Sequence, residues 1–183
     1  MSATPDEEDL IAAAARGDGK AFMTLIQTHD AALRALAFSM TGNATLMDDV
    51  LQESYIKAFK SIVTFKRESS FKTWIYRIVH NTTIDELRRT ARVTPIGPDA
   101  MAGTPHGSRS SEPDVALALD IEAALSRIPE AQREAVLLID GDGFDYASAA
   151  EILGVPPGTV SSRLSQGRAA LRPLLAPSYK GQS

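Results

Sequence analysis

A row of polar and aromatic residues at helical spacing is the first feature of this sequence that could do chemistry. The hydrophobic periodicity of Phe71–Ala91 predicts a helix, and one face of that helix carries Trp74, Arg77, Asn81, Asp85 and Arg88. Arginine can hold a phosphate backbone, asparagine can read a base edge, and tryptophan can stack on an unpaired base. The pattern favours binding of single-stranded nucleic acid. An amphipathic helix with a solvated polar face and a half-buried Trp74 would show the same spacing.

The charge of the surrounding segment supports the nucleic-acid interpretation. Ile56–Arg92 contains nine Lys and Arg against three Asp and Glu, so 9 − 3 gives a net charge of +6. Such a segment attracts a phosphate backbone. Tyr76 and Phe71 are predicted to lie in the core rather than to stack on bases.

A second pattern lies near the C-terminus, in the segment FDYASAAEILGVPPGTVSSRLSQGRAALR (Phe144–Arg172). It predicts a short helix, Ala147–Leu153, with Asp145 as its N-cap. A turn at Gly154–Pro157 follows, and Pro157 suits the first position of a second helix, where its missing N–H costs nothing.

The predicted second helix divides into an apolar and a polar set. Val160, Leu164 and Leu171 share one face and are expected to dock on the first helix. The polar set is Thr159, Ser162, Arg163 and Gln166. This is the pattern of a helix-turn-helix, which places its second helix in the major groove of DNA.

The charge of the C-terminal part opposes this interpretation. From Pro113 to the end there are six Lys and Arg against nine Asp and Glu, so 6 − 9 gives a net charge of −3. A DNA-binding domain normally carries a basic footprint, because neutralising phosphates supplies much of its affinity. Two helices around a turn also occur in bundles that bind no DNA, so this pattern alone leaves both alternatives open.

The composition predicts neither an enzyme nor a cofactor or metal site. The chain has no cysteine and three separated histidines, which give no metal-ligand spacing. It also lacks a Gly-rich phosphate loop and a nucleophile motif. The acidic run Asp48–Glu53 fits a solvated or protein-binding helix face better than a metal cluster. The acidic N-terminus and the lack of a long apolar run predict a cytoplasmic protein without membrane insertion.

The chain is expected to be all-α, with two small helical domains joined by a flexible linker at 94–112, a segment rich in Pro, Gly and Ser. The predicted domains are 1–93 and 113–176, with a tail at 177–183. Predicted helices are Asp6–Arg16, Lys20–Thr41, Leu46–Ile62, Phe71–Ala91, Asp114–Arg127 and Pro129–Ile139, followed by the helix-turn-helix. The buried face of the helix Leu46–Ile62 is predicted as Leu51, Tyr55, Ala58, Phe59 and Ile62.

Three motifs in this order resemble the bacterial RNA polymerase sigma factors of the extracytoplasmic-function (ECF) type, in the sigma-70 family. DDVLQESYIKAFKSI (Asp48–Ile62) looks like region 2.2, and FKRESSFKTWIYRIVHNTTIDELRR (Phe65–Arg89) looks like regions 2.3 and 2.4. The segment Phe144–Arg172 looks like region 4.2. The resemblance implies a sigma-2 helical bundle and a sigma-4 helix-turn-helix domain that direct core polymerase to promoters.

The resemblance also implies roles for individual residues. Contacts with core polymerase, through its β′ clamp, fall to Asp49, Gln52 and Glu53. Recognition and melting of the −10 promoter element fall to Lys66, Arg67, Trp74, Arg77, Asn81, Asp85, Arg88 and Arg89. Reading of the −35 element falls to Thr159, Ser161, Ser162, Arg163, Gln166 and Arg168. The implied partners are core polymerase (β′ clamp and β flap), promoter DNA and an anti-sigma factor.

This chain departs from the family pattern in the recognition helix. The family usually has Lys or Arg where this chain has Ser161, and often has Arg-Ala where it has Gln166-Gly167. These changes remove positive charge, so weak DNA binding by the isolated domain is expected. A stand-alone helix-turn-helix regulator is the alternative function, although the N-terminal half shows no effector-binding pattern. A third hypothesis is an enzyme that acts on nucleic acid, but this sequence offers no candidate general base, nucleophile or set of metal ligands for it.

Overall fold

The computed structural model describes residues 6–93 and 120–175, which belong to two compact helical units. These residues form helices and turns with no β-strand among them, which confirms the all-α prediction. The predicted linker at 94–112 and the tail at 177–183 lie outside the described residues, as does the start of the predicted helix Asp114–Arg127.

The N-terminal unit contains five α-helices within its described residues. Their bounds are α1 Glu7–Ala15, α2 Gly19–Gln27, α3 Asp30–Thr41, α4 Ala44–Ser61 and α5 Phe71–Val93, with a 3₁₀ turn at Ile62–Thr64 after α4. Local signals fix several ends. The Asp18 carboxylate accepts hydrogen bonds from two backbone N–H groups at the start of α2, and the Asn43 side-chain oxygen accepts one from the Leu46 N–H at the start of α4. Gly42 ends α3 in the left-handed conformation at φ 60°.

The prediction of one helix over Lys20–Thr41 was wrong. The chain breaks at Thr28 and His29, and two helices result. No glycine or proline marks the break. Its cause is tertiary, because α2 packs mainly on α1 whereas α3 packs on α4 and α5. A single straight helix could not pack on α1 at one end and on α4 and α5 at the other.

The core of the N-terminal unit forms where α5 packs against α3 and α4. Ile75, Tyr76 and Val79 of α5 are fully buried, as are Leu33 of α3 and Leu51 of α4. Phe71 is buried as well, so both aromatic residues that were predicted to be core are confirmed. Burying a large apolar side chain contributes about 1.5–3 kcal/mol, so this face of α5 determines its orientation.

A polar contact fixes α4 against α3. The Tyr55 hydroxyl donates to the Asp30 carboxylate at 2.8 Å, and Arg34 pairs with Asp48. Burial raises the pKa of Tyr55 above its ordinary value, and the bond to Asp30 raises it further, so the phenol stays protonated.

The predicted buried face of α4 is only partly correct. Leu51, Ala58 and Ile62 are buried and Tyr55 is half-buried, but Phe59 is 37% exposed. Its ring touches Phe22 of α2 with centroids 5.2 Å apart and leaves its other side open. Since Phe59 stands at the edge of the α2 contact, its apolar character alone could not distinguish core from surface.

The C-terminal unit consists, in its described part, of α6 (120–126), α7 Glu130–Val136, α8 Tyr146–Leu153 and α9 Pro157–Leu175. A π-helical turn, Leu137–Gly141, continues α7 directly. The sequence predicted an ordinary helix to Ile139. The wider turn was not predicted because no local residue pattern encodes it, and such turns often occur at functional sites.

The helix-turn-helix prediction is confirmed, although α8 begins at Tyr146, one residue earlier than predicted. Asp145 accepts a hydrogen bond from the Ser148 N–H at 2.7 Å, and this bond lowers the pKa of its carboxyl. Gly154 ends α8 at φ 63°, a left-handed conformation that favours glycine. Pro157 is the first residue of α9, as expected. The apolar residues Val160, Leu164 and Leu171 are all buried.

Gly167 has a packing role that the sequence did not reveal. It is buried where α9 crosses α7, and a Cβ there would lie 2.8 Å from Val136 Cγ2 and 3.1 Å from the backbone oxygen of Gln132. A residue with a Cβ at this position would therefore force Val136 or the α7 backbone to shift.

We expect Gly167→Ala to destabilise the chain. Alanine favours a helix by about 1 kcal/mol over glycine, but overpacking costs about 1–3 kcal/mol, and the second effect dominates beside a backbone oxygen. The free energy of unfolding, from urea titration followed by circular dichroism, should fall. Gly158→Ala is the matched control, because nothing lies within 4 Å of its Cβ position. Equal effects of the two substitutions would contradict the close-approach argument.

Candidate nucleic-acid interface

The outer face of α5 carries most of the predicted polar row. Asn81, Asp85 and Arg88 are exposed, and Arg77 is half-buried. Their orientation follows from the opposite face, where Ile75 and its apolar neighbours are held in the core. The structure therefore brings these four side chains to one accessible surface along about two to three turns of helix.

Trp74 is a correction to the predicted exposed row. It is only 7% exposed. Its indole packs between Phe65 and Phe71, with ring centroids 5.1 Å and 5.7 Å away. The residue faces the side of α5 where the preceding loop returns, and aromatic packing there outweighs solvent exposure.

The loop before α5 joins this aromatic cluster to cationic residues. Lys66 and Arg67 are exposed directly after Phe65. Arg67 adopts a left-handed conformation at φ 59°, which is uncommon for a residue other than glycine. Its guanidinium lies 3.4 Å from Glu8 of α1. Ser70 ends the loop by accepting the Thr73 N–H and so caps α5.

The far end of α5 shares a groove with α4. The groove has a volume of about 450 Å³ and is lined by Glu53, Lys57, Thr82, Asp85, Glu86 and Arg89. Arg89 donates twice to the Glu86 carboxylate, at 2.8 and 2.6 Å, and this contact keeps the pKa of Glu86 below its usual range. Lys57 pairs with Glu53 at 2.8 Å. Residues predicted for two different partners, Glu53 and Arg89, thus line the same groove.

The outer face of α4 is acidic at its start and apolar at its end. Asp49, Gln52 and Glu53 are exposed, in agreement with the prediction that they lie on the outer face. Ile56 and Phe59 continue the same face at 49% and 37% exposure, and Val63 follows at 67%. Sequence reasoning missed this apolar continuation. The spacing of three and four residues from Ile56 to Val63 was the available signal.

In the C-terminal unit, α9 presents its first two turns to solvent. Ser161 and Ser162 are exposed, and Thr159 and Arg163 are half-buried. The Ser162 hydroxyl donates to the Thr159 carbonyl oxygen at 2.9 Å. This part of the helix therefore offers hydroxyl groups and one guanidinium.

The remaining two residues predicted on α9 are engaged within their own unit. The Gln132 amide donates to the Gln166 side-chain oxygen at 3.2 Å. Arg168 donates through Nε and Nη2 to the two carboxylate oxygens of Asp140, at 2.9 and 2.5 Å. The structure places both partners in the segment formed by α7 and the π-helical turn.

A shallow groove beside α8 adds residues that the sequence did not single out. Its volume is about 330 Å³, and its lining includes Tyr146, Ser165 and Arg172 together with Ser161 and Arg168. The α9 members recur at intervals of four, three and four, so helical periodicity was the signal that could have found them.

The described residues hold no group of three or more His, Asp or Glu side chains placed to bind a metal ion. Within the same residues, no helix is long and apolar enough to cross a membrane.

Comparison with known proteins defines the class. Residues 25–93 match the family model "Sigma-70 region 2", and residues 118–171 match "Sigma-70, region 4". The chain therefore combines the two sigma-70 regions that its N-terminal bundle and its helix-turn-helix resemble.

Similar proteins define the group within that class. The chain is 35% identical to the ECF RNA polymerase sigma factor SigM of Mycobacterium tuberculosis over 92% of this chain and 84% of that protein. It is 30% identical to the ECF RNA polymerase sigma factor SigW of Bacillus subtilis, over 86% and 90% of the two chains. The chain belongs to the ECF sigma factors, the subunits that direct core RNA polymerase to promoters.

Solved structures agree with this assignment. The sigma factor RpoE of Bartonella quintana, in complex with the anti-sigma factor NepR, matches with a TM-score of 0.72 and 30% identity, over 86% of this chain and 98% of that one. CnrH, in complex with the cytosolic domain of CnrY, matches with a TM-score of 0.66 and 28% identity, over 92% and 96%.

We expect Trp74→Ala to act first on stability. Removing a buried aromatic side chain costs about 3–5 kcal/mol, and Phe65 and Phe71 would lose their shared packing partner. The thermal midpoint of the full chain, measured by circular dichroism, should fall strongly. Trp74→Phe keeps most of the packing and should fall much less. A stable Trp74→Ala variant would contradict the buried cluster.

Proposed function

We propose that this sigma factor contacts core polymerase and the −10 element through its N-terminal unit, residues 1–93, and the −35 element through its C-terminal unit, residues 113–176. The observation that carries the proposal is the exposed row from Arg77 to Arg88 on the same unit as the acidic face of α4, in a chain that also contains a helix-turn-helix. Residues 94–112 join the two units as a linker in this proposal.

The row on α5 is suited to unpaired DNA. Asn81 offers an amide that can read the edge of an extruded base, and Arg77 and Arg88 can hold the neighbouring phosphates. Lys66 and Arg67 extend this surface into the loop. Opening a duplex costs a few kcal/mol per base, so the contacts with the displaced base must compensate for this cost. Trp74 contributes to this surface indirectly, because its contact with Phe65 holds the loop in position.

The face of α4 is suited to a basic protein surface with an apolar centre. Asp49, Gln52 and Glu53 would meet cationic side chains of the β′ clamp. Ile56 and Phe59 would add apolar contact area, which usually forms the central part of a stable interface. The charged part would speed encounter and fix orientation, and the apolar part would lower the dissociation rate.

The negative charge of the C-terminal part is compatible with promoter binding in the holoenzyme. Core polymerase supplies further attraction for DNA, and its β flap would hold the C-terminal unit near the −35 element. Two weak contacts joined in one assembly gain affinity through effective concentration. Thr159, Ser161, Ser162 and Arg163 would then select the −35 sequence without a large basic surface.

We also propose that an anti-sigma factor binds this chain. Two structurally similar proteins were solved with partners. RpoE was solved with the anti-sigma factor NepR, and CnrH was solved with the cytosolic domain of CnrY. The exposed apolar residues of α4 are a surface that such a partner could cover in competition with the polymerase.

Reconstituted transcription tests the whole proposal. Core polymerase, with or without this chain, is given a template library with randomised −35 and −10 elements, and transcribed templates are sequenced. Initiation at a shared pair of motifs only when the chain is present supports the proposal. Tight, sequence-specific binding of duplex DNA by the chain without polymerase would favour a stand-alone regulator instead.

We expect Glu53→Lys to weaken binding to core polymerase at least tenfold. The substitution reverses one charge on the proposed clamp surface, and misplaced like charges at an interface cost on the order of several kcal/mol. Fluorescence anisotropy of the labelled chain titrated with core polymerase measures the effect. Asp9→Lys, an equal charge reversal on exposed α1, is the matched control and should change the affinity little. Unchanged affinity for Glu53→Lys would remove the acidic face from the interface.

We expect Asn81→Ala to impair promoter opening while core binding and stability stay normal. Asn81 is exposed, so its loss removes a base contact and no packing. Permanganate footprinting of unpaired thymines should show fewer open complexes at equal holoenzyme concentration. A control template has a preformed bubble and lacks the base that Asn81 would contact. On this template the variant and the wild type should initiate transcription equally well. Normal opening by the variant would exclude Asn81 from this role.

A further inference from the structure

We infer that Gln166, Gly167 and Arg168 form a clasp that seats α9 on α7 and its π-helical turn, and that reading of the −35 duplex falls to Thr159–Arg163. The inference rests on the proposed function, and it gives a different role to Gln166 and Arg168, for which the resemblance to the family implied reading of the −35 element. Both become positioning residues, which act through the seating of the helix.

The geometry of three consecutive residues supports the clasp. At 3.6 residues per turn, successive side chains point about 100° apart, so Gln166 and Arg168 project on opposite flanks of Gly167. Gly167 lies at a close approach of the two helices, since a Cβ at its position would lie 2.8 Å from Val136 Cγ2 and 3.1 Å from the Gln132 backbone oxygen. The two side-chain contacts therefore lie on either side of the crossing point of the helices.

The partners of the clasp belong to one continuous helical segment. Gln132 lies in α7, and Asp140 lies in the π-helical turn that follows without a break. Gln166 bonds to the first and Arg168 to the second. Contacts at two points eight residues apart resist rotation of α9 about its crossing with α7, which a single contact would not do.

The charge of Arg168 is already compensated. Its guanidinium makes both bonds of a bidentate pair with Asp140, and this raises the pKa of the arginine further. A DNA phosphate that took Nε and Nη2 of Arg168 would break both bonds and leave the Asp140 carboxylate unpaired beside the phosphate backbone. Arg163 has no such cost, because the structure assigns it no carboxylate partner among the described ion pairs.

The clasp also accounts for the two departures from the family pattern at these positions. An alanine at position 167 would clash with Val136, so glycine permits the close seating. A glutamine at position 166 is matched to the neutral amide of Gln132. Both changes follow from the packing of α9 on α7 and need no change in the DNA sequence that is read.

The first test needs no polymerase. Backbone amide exchange of α9 in the full chain is measured for Asp140→Ala, Arg168→Gln and the double variant. A surface ion pair of good geometry predicts exchange that is about two- to fivefold faster in each single variant. The double variant should be no faster than the singles, because both remove the same interaction. Unchanged exchange in the singles, or effects that multiply in the double variant, would overturn the clasp.

The second test separates positioning from reading. Holoenzymes carrying these variants are titrated with a promoter duplex at several salt concentrations. If Arg168 positions the helix, Arg168→Gln and Asp140→Ala both weaken binding by about two- to fivefold, and neither changes the salt slope. If Arg168 contacts DNA, Arg168→Gln lowers the slope by about 0.9 and Asp140→Ala strengthens binding, and the inference fails.

Arg163→Gln is the matched control for the salt measurement, since it removes the same charge from the same helix. It should lower the slope by about 0.9. An unchanged slope for Arg163→Gln would count against the proposed −35 readers, whereas the clasp is judged on Arg168 and Asp140. Failure of wild-type holoenzyme to select any promoter would reject the proposed function and leave the exchange measurement to decide the clasp.

Discussion

The packing of α5 against α3 and α4 is the constraint on which the N-terminal unit depends. Because Ile75, Tyr76 and Val79 are fully buried in this contact, the rotation of α5 about its axis is fixed. The exposed row from Arg77 to Arg88 then has one possible orientation. The loop before α5 is held by the same helix, since Phe65 packs on Trp74. The surface that we propose to hold separated DNA strands is thus built on a rigid support rather than on loops alone.

Local sequence patterns predicted where several helices begin and end better than they predicted how the helices pack against their neighbours. Asp145 as an N-cap and Pro157 as a first helical residue depend on backbone groups within a few positions, so the sequence contains the whole cause. The break at His29 has no such local cause, because it arises where two helices turn toward different neighbours. The π-helical turn after α7 likewise has no local residue pattern that predicts it. Trp74 was predicted to be exposed and is buried, whereas Phe59 was predicted to be buried and is partly exposed. Both differences arise from the neighbouring elements and not from local sequence.

In the candidate sites, too, features set by local sequence were predictable and contacts with distant residues were not. Exposure of Asn81, Asp85 and Glu53 followed from helical periodicity and was predictable. The partners of Arg168 and Gln166 were not, because Asp140 and Gln132 lie about 30 residues away in the chain. A count of Lys and Arg treats every cation as available to DNA. The Arg168–Asp140 ion pair makes the available positive charge of α9 smaller than its sequence implies, which favours the proposed dependence on core polymerase.

The position of Trp74 has a spectroscopic consequence. It is the chain's one tryptophan, and it lies in contact with Phe65, the residue directly before the cationic loop. Its fluorescence emission therefore reports the polarity at the base of that loop without any label. A red shift would signal separation of Phe65 from the indole, and quenching by acrylamide would measure how far the loop had lifted. The chain thus contains its own probe for any movement of the loop that we propose to contact the −10 element.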